Sequence, residues 1–415
     1  MHVSSDNSVA VIGAGIAGLS AAVFLQRSGY QVSVYDGQPP GTGASYGNGG
    51  LLSPGSCMPI ALPGMLRKVP GWIIDPNGPL SVHPRHIPAA IPWLLRWIKA
   101  GSRAQVDLAA EALWSLHSVA FDGYKELLGE QHFSDLIRQT GQIYVWESAG
   151  ESAGDRIYDT LRRRYNIPFE PLPLDELREL VPEISPAIKR AEFYPKNGHT
   201  VNPLRLVQTI GRLFVDAGGV FCQERVMKIL RQASGFRIVS NLSDRPVARI
   251  VVAAGVWSKQ LLAPLGIALP LEPERGYHVE VVRPSMSLRF PVLHKERAMG
   301  AIQMEGGLRI AGTVEIAGLD LPLDEHREDA MLKNALALFP SLEFERSSLW
   351  MGFRPSTPDS LPILGEVDGW PGLYLATGHG HTGMTAGAVS GRLIAEVMSG
   401  SRTSIDPHPF RLSRF

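Results

Sequence analysis

The chain has 415 residues, of which 44% are hydrophobic and 19% charged, with 40 basic and 40 acidic side chains. That length exceeds one ordinary core and predicts two domains or a composite, while the hydrophobic share excludes a disordered chain. A formal net charge of zero leaves no basic footprint for nucleic acid. The two cysteines, Cys57 and Cys222, are far apart and form neither CxxC nor a Cys/His cluster, which excludes a disulfide framework and a structural zinc site.

Met1 to Ser8 is short and polar, without the charged-then-apolar run of a signal peptide. No stretch reaches the roughly 18 apolar residues of a spanning helix. A cytoplasmic protein is expected. The most lipophilic window, Ile87 to Ile98, leaves two readings open: a helix covering the substrate domain, or a patch that docks on the inner face of the membrane.

The opening reads strand, glycine turn, helix, strand. Val9, Val11 and Ile12 make a short β-branched run, Gly13 to Gly18 turns the chain, and Ile16, Leu19, Ala22, Val23 and Leu25 repeat at helical spacing towards Gly29. Val32 to Tyr35 is the next strand. Gly37 to Gly55 is a long glycine- and serine-rich loop, and the proline-rich stretch Pro54 to Pro92 predicts irregular backbone. Helical patterns cover Pro92 to Lys99, Ala104 to Leu128 and Asp155 to Tyr165, with strands at Gln142 to Trp146 and Ala191 to Tyr194.

Asn202-Pro203 marks a helix start, with Asn as N-cap and Pro at the first helical position. Strands follow at Val220 to Cys222, Val226 to Leu230, Phe236 to Val239, Ile250 to Ala253, Gly276 to Val282, Leu308 to Thr313, Ser348 to Phe353 and Leu373 to Thr377. A last helix spans Met384 to Met398. Nucleotide-binding elements at the start, middle and end predict an interleaved organisation.

Gly13-Ala14-Gly15-Ile16-Ala17-Gly18 fits GxGxxG. It follows a strand, opens a helix, and has Asp36 at the next strand end. Together these form a dinucleotide fingerprint. Gly13 permits the turn, Gly15 admits a pyrophosphate to the helix N-terminus, Gly18 packs helix on strand, and Asp36 accepts from a ribose hydroxyl. Later features favour FAD over NAD. Val251 to Ser258 is a buried strand ending in Ala254, Gly255 and Trp257, the pattern of a second nucleotide contact. The Leu373 to Thr377 strand meets Gly378-His379-Gly380-His381-Thr382-Gly383-Met384 and then a helix. Glycines admit a flat ring there, and the helix N-terminus offers donors and positive potential where a reduced flavin gathers negative charge.

These residues, with Gly43 to Pro54 and Gly352-Phe353-Arg354-Pro355-Ser356-Thr357-Pro358-Asp359, resemble the D-amino-acid oxidase superfamily, most of all the bacterial D-amino-acid dehydrogenases. The resemblance covers nearly the whole chain. It implies an α/β fold: a Rossmann-like FAD-binding domain over 1–55, 196–268 and 346–415, interleaved with a substrate domain over 56–195 and 269–345 on a mixed, largely antiparallel sheet. It implies FAD contacts from Ser45, Asn48, Gly49, Gly50, Leu51 and Val226 as well. Some members attach flavin through a C-terminal cysteine or a histidine after the Ala-Ser loop. Neither is present, so noncovalent FAD is expected.

The chemistry expected is hydride transfer from an α-carbon to flavin N5, leaving an imine that water hydrolyses, with catalysis by positioning and electrostatics. Arg354 matches the family's carboxylate-binding arginine. Tyr277 and His278 lie on opposite faces of one strand, so one of them is expected over the substrate, Tyr277 donating to the carboxylate or His278 keeping the amine neutral. Asn48 and His379 are expected near the ring, and His199 at the pocket entry. Two histidines two apart, His379 and His381, make a poor metal site, so no metal is expected. D-Proline or hydroxy-D-proline is a candidate substrate, and a quinone or carrier protein the acceptor. A glycine/sarcosine-type oxidase making hydrogen peroxide is the alternative, and a flavin-binding subunit of a larger redox assembly is another.

Overall fold

A computed structural model describes residues 7–64 and 80–415, so most of Met1 to Ser8 and part of the Pro54 to Pro92 stretch lie outside the described residues. The run Ser8–Ile12 forms an inner strand of a six-stranded sheet, parallel to Gln31–Tyr35 on one side and Arg249–Val252 on the other. Val220–Cys222 extends one edge. Leu373–Thr377 and the antiparallel Ile363–Glu366 extend the other.

Alternation along the first strand sends its side chains into two cores. Val9 and Val11 pack under the helices Ile16–Arg27, Pro203–Asp216 and Gly383–Ser399. Ala10 and Ile12 face a small sheet formed by Val226–Arg231, Phe236–Ser240 and Asp244–Val247. The first and last helices approach so closely that a Cβ on Gly391 would lie 2.5 Å from the Ser20 carbonyl carbon. This contact brings both helix N-termini to the carboxyl edge of the sheet, where ligands of such folds bind.

A nine-stranded mixed sheet stands over that edge. Glu272–Val282 lies between Arg346–Ser356 and Gly307–Ile316, antiparallel to both. Met299–Met304, Val292–His294, Gln142–Trp146 and Arg190–Tyr194 continue outwards. Tyr277, Val279 and Val281 bury themselves against Met331, Ala335 and Leu338 of the helix His326–Leu338. The alternate residues face the Rossmann-like domain, and the cross-strand pairs Glu274/Arg354, Gly276/Gly352 and His278/Trp350 share that face.

Three expectations are corrected. The Arg346–Ser356 strand pairs with Glu272–Val282, so the boundary placed at 346 cuts the roof sheet. Ala104 to Leu128 is two helices, Arg103–His117 and Ala120–Leu136, the second kinked where Gly129 takes φ 73°. A helix spans Ile87–Ala100 with Pro92 inside it, forgoing one backbone bond. Packing of Trp93 and Trp97 against Ala61, Val82 and Ile316 holds that helix despite its prolines.

Candidate active site

Between the two sheets lies a cavity of about 1210 Å³. A single small-molecule site holds roughly 300–1,000 Å³, so this space suits a large cofactor with a substrate beside it. Its floor begins at the first glycine turn. Gly13 takes φ +114°, and a Cβ there would stand 2.4 Å from the Ala253 carbonyl oxygen. Gly15, Ile16, Ala17 and Asp36 line the same groove. The Asp36 carboxylate accepts from Ala14 N (2.8 Å) and Gln38 N (3.0 Å), which fixes it at the strand end with lone pairs left for a ribose. Ser45 Oγ accepts from Ile16 N at 3.0 Å, tying the Gly37 to Gly55 loop to the helix start.

Val226, Ala254, Gly255 and Trp257 continue the groove at one end. At the other, Asn48, Gly49 and Leu51 face His379, Gly380, His381, Gly383 and Met384. The helix begins at Gly383, so its first-turn N–H groups have no intrahelical acceptors and the positive end of its dipole meets the cavity. This glycine-rich groove, open at a strand–turn–helix and closed by a second helix N-terminus, fits an FAD. Neither Cys57 nor Cys222 lines it.

Three expected cofactor residues act from behind. A Cβ on Gly18 would fall 2.0 Å from the Gly13 carbonyl oxygen, so this glycine permits packing and does not touch the groove. Gly50, at φ +71°, turns the chain against Thr200 and Met304. Thr382 caps the last helix, its carbonyl accepting from Ala386 N at 2.8 Å.

The roof carries the site's principal cation. Arg354 reaches across its neighbouring strand, over Gly276, and donates from Nη1 to the Thr313 carbonyl at 3.1 Å. A Cβ on Gly276 would stand 2.3 Å from the guanidinium carbon, so only glycine leaves that path open. Burial draws the Arg354 pKa down, and the nearby Glu274 partly offsets this. Glu274 is buried and hydrogen-bonded to His381 Nε2 at 2.8 Å. Burial raises its pKa, but His381 and Arg354 outweigh burial and hold the carboxyl below its usual value. The carboxylate therefore balances part of the charge behind the cavity while Arg354 faces it.

The Tyr277 and His278 expectations are both corrected. Tyr277 points away from the cavity, into the core beneath the helix His326–Leu338, and donates to Glu315 at 2.6 Å. His278 has the right parity, but the Tyr46 to Asn48 loop stands in front of it. Its Nδ1 lies 3.1 Å from the Gly47 carbonyl, and its ring stacks on Trp350 at 5.1 Å. Burial first, then Arg309, drives its pKa down to about 3, so it is a neutral positioning group. His379 lines the cavity, pairs with Ser390 Oγ at 2.9 Å, and is pushed down to about 4 by burial. His199 lies behind Leu51, off the cavity. With Ser390 and Glu274 as their partners, His379 and His381 are hydrogen-bonded side chains.

Several functional residues escaped the sequence reading. Trp350 lines the cavity two and four residues before Gly352 and Arg354, and the strand period would have found it. Glu274 is recognisable only from its contact with His381, 107 residues away. Lys295 lines the roof and carries no motif.

Comparison with known proteins places this geometry. The model of the DAO family, FAD dependent oxidoreductase, matches residues 8–397. The chain is 34% identical over 417 residues to a D-amino-acid oxidase of Bradyrhizobium diazoefficiens, covering 98% of both chains. It is 28% identical to a D-amino acid dehydrogenase of Allorhizobium ampelinum, again covering 98% of both. Among solved structures, a glycine oxidase from Geobacillus kaustophilus superposes with a TM-score of 0.74 at 23% identity, covering 98% of both chains. An L-proline dehydrogenase from P. horikoshii gives a TM-score of 0.74 at 19% identity and 99% of both.

Proposed function

The chain belongs to the DAO family of FAD-dependent oxidoreductases, and from that premise we propose that it oxidises a D-amino acid at the α-carbon and passes the electrons to a quinone or carrier protein. The observation that carries this reading is the Arg354 guanidinium laid over Gly276 into a cavity already lined by a dinucleotide groove.

Bound FAD supplies the hydride acceptor. The chain's own residues bind and orient. Arg354 grips the substrate carboxylate in two-pronged fashion. Gly276 and Gly352 leave room for the Arg354 guanidinium and the Trp350 ring to lie along the roof, which places the cation over the substrate. The helix start at Gly383 and Met384 offers positive potential where charge gathers. No cavity-facing base is needed, because the amine loses its proton to solvent before the α-carbon–hydrogen bond breaks.

Anaerobic bleaching of the yellow protein by D- but not L-amino acids is the expected result. Bleaching by neither enantiomer of any α-amino acid would end the proposal. A glycine/sarcosine-type oxidase is the second reading, favoured by the glycine oxidase likeness. Admission of air decides between them, since prompt reoxidation with stoichiometric hydrogen peroxide marks an oxidase.

Among the described residues no helix is long and apolar enough to cross a membrane. The outer side of Ile87–Ala100 is nevertheless apolar, with Leu95 62% exposed. We assign to it a peripheral contact with the membrane that holds the quinone.

A further inference from the structure

Lys295 follows the strand Val292–His294 and opens onto the cavity. Its backbone is anchored, N donating to the Val145 carbonyl at 3.1 Å. Its ammonium lies 5.1 Å from the Tyr144 ring centre and 6.0 Å from that of Tyr158. Those rings hold a cation but do not neutralise it.

Among the described residues no carboxylate comes within ion-pair distance of Lys295. The two acids that act on it are committed elsewhere: Asp155 to Arg190 at 3.0 Å, and Glu192 to Arg162 at 2.8 Å. Lys295 is exposed on the cavity wall, so its unpaired ammonium is open to an anion that enters the cavity.

The spacing fits a particular occupant. Arg354 reaches the Thr313 carbonyl, on the strand Gly307–Ile316. That strand lies two places from Val292–His294, or about 10 Å at the usual strand spacing, and the lean of Lys295 towards Tyr144 adds up to another ~5 Å. An extended α-amino diacid of five carbons, with a charge-assisted hydrogen bond at each end, spans about 12 Å. A neutral amino acid held by Arg354 offers Lys295 no ionic partner.

We propose that Lys295 is a specificity residue that binds a second carboxylate, so the substrate class is an acidic amino acid carrying an anion at each end. This rests on the proposed amino-acid oxidation and replaces D-proline as the expected substrate. The acidic side chain would lie beneath Leu293 and Met299, between the two cations.

The test compares acids with their isosteric amides: D-glutamate against D-glutamine, and D-aspartate against D-asparagine. The holoenzyme is expected to prefer the acid by tenfold or more in kcat/KM. Lys295→Met is expected to bring that ratio to about one, with the change carried by KM, and Lys295→Arg to restore most of it. Should Lys295→Met fail to fold, calorimetry on the unaltered holoenzyme decides: glutarate must bind at least tenfold more tightly than butyrate. Equal turnover of acid and amide, a ratio untouched by Lys295→Met, or equal binding of the two inhibitors would overturn the assignment. Flavin reduced by amides without preference for acids would remove the second subsite alone. Flavin reduced by no amino acid would remove the proposed function beneath it.

Discussion

The guanidinium of Arg354 lies directly across the backbone of Gly276: a Cβ there would meet Nη2 at 2.5 Å and Nε at 2.7 Å. The two residues sit on adjacent strands, and the missing side chain of one is the path of the other. A methyl group at this point cannot shift the sheet, so it must move the arginine. Gly276→Ala is expected to raise KM for the amino acid by tenfold or more while the flavin stays bound. Arg354→Ala removes the cation outright and should lower kcat/KM by about 10²–10³-fold, the worth of two hydrogen bonds to a charged group. Steady-state kinetics beside the visible spectrum separate the effects. Unchanged kinetics for Arg354→Ala would mean that another group holds the carboxylate.

A second pairing of this kind fixes the loop over the ring. A Cβ on Gly47 would stand 1.7 Å from the Trp350 ring, and one on Gly352 would stand 2.1 Å from it. Trp350 is therefore clamped between two glycines, and His278 and Arg309 bond the carbonyls of Gly47, Tyr46 and Asn48. Gly47→Ala should expel the Tyr46 to Asn48 segment from its seat and cost about 1–3 kcal/mol, as overpacking does. The expected reading is weaker FAD binding by fluorescence titration. An unaltered dissociation constant for FAD would show that the loop does not hold the cofactor.

The elements readable in the sequence are those whose demands are local. Gly13 to Gly18 and Asp36 specify a turn, a helix start and a strand end within one βαβ unit. Asn202-Pro203 likewise announces its own helix, and the Asn202 side chain caps it by accepting from Arg205 N at 3.0 Å. The roof was harder because its pairings are distant. Alternation separated Tyr277 from His278 correctly, yet which face met the cavity depended on the helix His326–Leu338, and the obstruction before His278 on a loop over 200 residues away. Lys295 and Glu274 take their meaning from neighbours that no local pattern announces.

The buried histidines make stability depend on pH. Burial holds His117, His199 and His379 at about 4 and His278 at about 3. An unfolded histidine titrates near 6.5, so between these values the unfolded chain binds more protons than the folded one. The stabilisation is complete above pH 6.5 and is lost as pH falls through that window, by up to about 1.4 kcal/mol per pH unit for each histidine. Urea midpoints of the holoenzyme are expected to fall steeply from pH 7 to pH 5. His117→Asn should flatten that slope, since His117 Nε2 has no partner to receive a new proton. A midpoint independent of pH would contradict the burial.

The last expectation concerns the helix Ile87–Ala100. Ile91 is 46% and Leu95 62% exposed, while Trp93 and Trp97 of the same helix are buried. Arg85, Arg96 and Lys99 are exposed alongside, and no Asp or Glu occurs from residue 84 to 102. An apolar ridge flanked by cations alone is suited to an anionic bilayer, where each basic residue adds about 1 kcal/mol near the surface. The holoenzyme should co-sediment with vesicles containing phosphatidylglycerol at low salt and be released as salt rises. Leu95→Glu combined with Ile91→Glu should abolish sedimentation and leave turnover with a soluble dye intact, because neither residue lines the cavity. Binding to neutral and anionic vesicles alike, or no loss in the double variant, would show that this ridge is not the membrane contact.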